Sequence, residues 1–174
     1  MSAEKPASAS GGFEMPCAGK EHALLKPFEG KFRAKVQIYM GGPEPQVSTG
    51  TMVNSFQVDG LYLHQDYQGD APPKPYPAFV GRGYWGYNFG TKKYEGFWID
   101  NASSMMQNEA GTVDSSGKVW TMTSEFTNPN DGSTIKKKTE IKLQDADHHS
   151  MESFMTAADG NEYRTMIIEY TRDH

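Results

Sequence analysis

Turn-forming residues cut this chain into extended runs of about 8–13 residues, and past Pro27 no run carries a convincing helical period. Such spacing is the mark of an all-β sandwich or barrel. The pattern predicts ten strands, over residues 30–40, 47–58, 61–68, 79–87, 94–100, 104–111, 118–127, 134–144, 148–156 and 162–172. Asp59-Gly60 is a tight-hairpin signal between the second and third. DSSG at 114–117, NPNDGS, QDAD and ADGN mark later turns. Each strand follows its predecessor by a short connection, which predicts an antiparallel up-and-down meander. Left open, that sheet would expose its edges, and closing it into a barrel removes them. A barrel of this size can enclose one small ligand.

The rest of the chain adds little regular structure. Residues 1–17 are rich in Ser, Ala, Gly and Pro and are expected to form a disordered leader, with one barrel domain over 18–174. A short helix at about 19–26, stopped before Pro27, would cap one end of the barrel. No run of apolar residues is long enough for a spanning helix, and the N-terminus lacks the apolar segment of a secretory signal. The single cysteine, Cys17, fits a reducing compartment, so a cytoplasmic location is expected. A net charge of −5 argues against a nucleic-acid partner. Lys136-Lys137-Lys138 is the one basic cluster and reads as a solvated strand edge.

The densest signal is GRGYWGYNFGTKKYEGFWID, residues 81–100, which interleaves two of the three tryptophans with glycines. If Tyr87 faces Tyr94 across a hairpin, then Trp85 lies opposite Gly96, Gly83 opposite Trp98, and Gly81 opposite Asp100. Directly opposed side chains stand ~5 Å apart, so a glycine partner gives each indole room. This large–small alternation suits the inside of a narrow barrel. It points Trp85 and Trp98 inward and puts Asp100 near a barrel mouth. A register slip of one residue would reverse every one of these assignments.

The same stretch carries a resemblance. GYNFGTKKYEGFWIDNASS resembles the G-Y-D…K-Y/F…W-I-D-N/S motif of a bacterial domain-of-unknown-function family, number 1579. EHALLKPFEGKF, DGLYLHQDYQG, GTVD, DADHHSME and EYRTMIIEYTR resemble further family segments in the same order, over roughly residues 21–172. Phe32, Asn88 and Leu61 stand where the family usually has Trp, Asp and Arg, and the loop at 71–77 also differs. The resemblance implies a calycin-like barrel, similar in shape to lipocalins, fatty-acid-binding proteins and nitrobindins. It implies no activity and no functional residues.

Four functional readings follow. The first is a non-enzymatic barrel holding a small apolar or amphipathic molecule. Trp85, Trp98 and Met106 would contact its body, while Asp100, His64 and Glu152 would orient its polar ends. Met52, Met122, Met151, Met155 and Met166 would add an adaptable lining. The second is an enzyme using Asp100 or Glu152 as a base, which requires the two carboxylates to converge. The third is a haem barrel ligated by His64 or His149. The fourth is a filled barrel that assembles, as a homodimer for instance, through an outer patch of Tyr84, Phe97 and Ile99. Asp145, Asp147, His148 and His149 suggest a metal at first sight. Adjacent strand residues point to opposite faces, however, so the two histidines cannot share one ion from a regular strand, and no metal is expected. Likewise no nucleophile elbow, phosphate loop or dinucleotide fingerprint is present.

Overall fold

The ten strands are found in sequence order in a computed structural model, which describes residues 16–42, 44–72, 75–128, 131–157 and 160–174. They are β1 (Gly30–Ile38), β2 (Gln46–Gln57), β3 (Tyr62–Gly69), β4 (Val80–Asn88), β5 (Lys93–Asp100), β6 (Gln107–Val113), β7 (Val119–Thr127), β8 (Thr134–Leu143), β9 (His148–Thr156) and β10 (Glu162–Arg172). Every ladder is antiparallel, each strand pairs with its sequence neighbours, and β1 closes on β10 to complete the barrel. Most of the expected disordered leader, residues 1–15, lies outside the described residues.

One end of the barrel is a plug. The expected helix is shorter than its sequence suggests: α1 covers Lys20–Ala23, and a 3₁₀ turn takes over at Lys26–Phe28. Pro27 sits inside that turn rather than after it. A proline has no N–H to give and is tolerated in a first helical turn. The change of pitch drives Leu25 and Phe28 into the barrel, where they meet Leu63, Trp85, Tyr94, Trp120 and Met122. Trp120, fully buried, packs edge-on against Phe28 and Trp85 with ring centroids 5.2 and 5.5 Å away. Arg172 pins the turn to the last strand: its guanidinium donates to the carbonyls of Glu29 and Pro27, both at 2.8 Å, and lies over the Phe32 ring.

The connections at this end are short. Between Gln57 and Tyr62 the chain reverses through Val58, Asp59 and Gly60, all with positive φ. The turn is therefore longer than the two-residue hairpin that Asp59-Gly60 suggests, and its hydrogen bonds run from Gly60 N to Gln57 O and from Leu61 N to Val58 O. At the opposite end the connections are longer, including the proline-rich stretch between β3 and β4.

The register of the β4–β5 hairpin matches the sequence expectation at each pair: Gly83 faces Trp98, Trp85 faces Gly96, Gly81 faces Asp100 and Tyr87 faces Tyr94. The two indoles use their glycines unequally. A Cβ at Gly81 would overlap the six-membered ring of Trp98, and one at Gly83 would come within 2.8 Å of that ring. At Gly96 a Cβ would stand 3.7 Å from Trp85, an ordinary contact, and its tightest neighbour would be the Tyr84 carbonyl at 3.3 Å. Trp98 thus lies across two glycines of β4, and Trp85 depends little on its partner. Gly81→Ala is expected to lose about 1–3 kcal/mol through overpacking, and Gly96→Ala distinctly less. Urea unfolding of the two variants checks the order, and a loss at Gly96 as large as that at Gly81 would refute it.

Candidate functional site

Above the plug the barrel is hollow. Alternation along the strands sends one set of side chains inward: Val36 on β1, Met52 on β2, Gln65 and Tyr67 on β3, Met151 on β9, and Met166, Ile168 and Tyr170 on β10. With Trp85 and Trp98 they enclose a cavity of about 570 Å³. That volume is in the range of small-molecule pockets. Trp85 sits toward the floor, shared with the plug, and its Nε1 is buried with no hydrogen-bond partner among the described residues. The mouth is framed by Tyr76, Pro77 and Phe79 from the β3–β4 connection. Burial pushes the Tyr67 and Tyr170 hydroxyls above their ordinary pKa, so both stay protonated.

Several polar groups of the cavity lie on the wall formed by β5–β8, while Ser48, Thr49, Gln65 and Asp70 line it from β2, β3 and the connection that follows. Asp100 Oδ2 accepts from Trp98 Nε1 at 3.1 Å and from Gln107 Nε2 at 3.4 Å, and its Oδ1 accepts from the Ala102 amide at 2.9 Å. Glu109 Oε2 accepts from the Thr139 hydroxyl at 3.0 Å. Ser124 and Lys137, directly paired across β7 and β8, complete this wall. The wall is incomplete toward the mouth. β6 and β7 pair only over Ala110–Val113 and Trp120–Thr123, which leaves the facing edges of Gln107–Glu109 and Ser124–Thr127 without a shared ladder.

Of the six residues singled out from sequence, the structure brings Trp85, Trp98 and Asp100 together around the cavity. The other three lie elsewhere. His64 falls between inward-facing Leu63 and Gln65, so strand alternation turns it outward, where its ring packs on Tyr84 at 4.9 Å. Glu152 falls between inward-facing Met151 and Ser153. It stands on the outer surface, paired with Lys142 at 3.0 Å and Arg164 at 2.8 Å. Met106 precedes β6 and is 64% exposed. Asp100 and Glu152 therefore stand on opposite sides of the barrel wall and do not form an acid–base pair.

His148 and His149 point to opposite faces, and Asp145 serves the turn by accepting from the amides of Asp147 and His148. His149 is enclosed by Phe28, Phe32 and a stacked Tyr170. No histidine is among the described residues that line the cavity.

Lys137 is the interior residue that the sequence reading passed over. Taken as a block, 136–138 looks like one solvated edge. Taken by alternation, Lys137 shares its face with Thr139 and Ile141 and points in. Lys136 and Lys138 face out and pair with Glu125 and with Glu140 and Glu162.

A closed antiparallel barrel, plugged at one end and hollow at the other, defines the class of calycin-like barrels. The chain belongs to the family described as Protein of unknown function (DUF1579), whose model matches residues 17–172. Among solved structures it is similar to Rv2717c from M. tuberculosis, with a TM-score of 0.62 at 15% identity over 90% of this chain and 99% of that one. It is also similar to the S-type phycobiliprotein lyase CPES from Guillardia theta, with a TM-score of 0.60 at 9% identity over 87% of this chain and 92% of that one. These likenesses are of fold. No curated protein matches the sequence. Among the described residues no helix is long and apolar enough to cross a membrane.

Proposed function

We propose that the protein binds a small apolar or amphipathic molecule inside the barrel. The observation that carries this reading is the cavity itself, about 570 Å³ and lined mainly by Trp98, Trp85, three methionines and aliphatic side chains. Met52, Met151 and Met166 give that lining side chains that re-pack around different shapes.

Native mass spectrometry of the purified protein tests the reading, together with titration of the neutral fluorophore N-phenyl-1-naphthylamine. The expected results are a mass adduct or saturable dye binding, and a dye affinity reduced about tenfold in Trp98→Ala, the scale of losing one large aromatic contact. No adduct and no dye binding by the folded protein would overturn the reading. The same spectra report the subunit count. A dimer combined with an empty interior would favour assembly through the outer patch, where Tyr84 stacks on Phe97 at 5.6 Å beside exposed Ile99.

A further inference from the structure

We infer that the molecule held in the barrel carries a single negative charge, and that Lys137 recognises it at the incomplete wall between β6 and β7. The inference rests on the binding function proposed above and names the chemical class of the ligand.

The argument starts from a mismatch among three consecutive lysines. Lys136 and Lys138 face outward and each has a carboxylate partner. Lys137 faces inward, is half-buried, and lines the cavity. No carboxylate among the described residues comes within 4.0 Å of its ammonium group. An ammonium at the edge of a largely apolar cavity, with no carboxylate beside it, is a docking point for an anion. The outward lysines show that this surface has carboxylates to spare, yet none is spent on Lys137.

The two acids on the same wall are already engaged. Asp100 accepts three N–H donors, from Trp98, Gln107 and Ala102. Glu109 accepts the Thr139 hydroxyl. Neither supplies a counter-ion to Lys137. Both keep their own negative charge, so an anionic head must sit at the Lys137 ammonium and away from Asp100 and Glu109, and a second negative charge on the guest would find no further cation among the described residues of this wall. A single oxyanion head, such as a carboxylate or sulfonate, fits one unpaired ammonium flanked by two occupied acids.

The position suits a head group rather than a tail. Lys137 lies mouthward of Thr139 and Ile141 on β8, beside Ser124, where the β6–β7 ladder has ended. A head placed there keeps access to water along the unpaired edges. An apolar body attached to it then reaches Trp98, Met151 and Ile168 in the depth of the barrel.

A pair of dyes with one skeleton tests this. 8-Anilino-1-naphthalenesulfonate carries a sulfonate on the body that N-phenyl-1-naphthylamine presents neutral. Wild-type protein is expected to bind the sulfonate roughly tenfold tighter than the neutral dye, the scale of one hydrogen bond to a charged group. Lys137→Met should abolish that preference and leave the affinity for the neutral dye within about twofold. Lys137→Gln should also lose the preference and Lys137→Arg should keep it, a contrast that serves even if the Met variant folds poorly. Binding of the neutral dye with no preference for the sulfonate, or a preference that survives Lys137→Met and Lys137→Gln, overturns the charge inference and leaves the cavity reading standing. Failure of both dyes to bind removes both.

Discussion

Lowering the pH from 6.5 to 4.5 is expected to cost the folded protein about 2 kcal/mol through His149 alone. The imidazole is 6% exposed, stacked on Tyr170 with centroids 4.4 Å apart and held edge-on by Phe32 at 4.6 Å and Phe28 at 5.0 Å. Burial, helped by the nearby Arg172 guanidinium, lowers its pKa from 6.5 to about 3. The sign follows from proton counting. Below pH 6.5 the unfolded chain takes up a proton on His149 and the folded chain does not, so stability is complete above 6.5 and falls as the pH drops toward 3. The slope is about 1.4 kcal/mol per pH unit for one proton. The exposed aspartates whose pKa values are lowered, such as Asp145 and Asp173, add their losses only below the usual carboxylate range. His22 shares the window, because its burial also lowers its pKa, so the comparison must isolate His149. His149→Phe keeps an aromatic ring among aromatic neighbours and removes the titration. Urea unfolding from pH 7 to 4.5 should show the wild-type slope flattened by about one proton in that variant. An unchanged slope would show that His149 is not held neutral.

Trp120→Ala is the second large effect, a loss of about 3–5 kcal/mol. The indole is fully buried and touches Phe28, Trp85 and Tyr94, so removing it leaves a void bounded by rings that the surrounding strands hold apart. The void also lies beneath the cavity floor, since Trp85 belongs to both the plug and the lining. A larger guest should therefore gain access as stability falls. Trp120→Phe retains most of the packing and should lose roughly 1–2 kcal/mol. Thermal unfolding separates these outcomes, and a Trp120→Ala protein as stable as Trp120→Phe would mean that the plug contributes little to the fold.

The strands were legible because period-two alternation and turn chemistry agree along most of this chain. The clearest departure is β6, expected from residue 104 and found from Gln107. The Asp100 carboxylate takes the amide of Ala102 and the Ser103 hydroxyl takes the amide of Met105, and these local bonds displace a ladder. The inward direction of side chains was legible where register was argued pair by pair, as for Trp85, Trp98 and Asp100. Side chains were misplaced where residue type was allowed to decide. His64 and Glu152 have suitable chemistry on the outward parity, and Met106 has it before the strand begins. Lys137 stayed hidden for the converse reason: its two neighbours in the run made it look like surface, and only the alternation through Thr139 and Ile141 shows its direction.

The way the barrel closes also bears on how long it stays closed. All ladders but one join strands that are consecutive in sequence, so each can form by local hairpin closure at small entropic cost. The β1–β10 seam joins Phe32 to Arg172 and must wait for almost the whole chain to assemble. The seam is thus the ladder expected to form last in folding. The Arg172 bonds to Pro27 and Glu29 act there as a latch, tying the lifetime of the closed barrel to the same short turn that seals its floor.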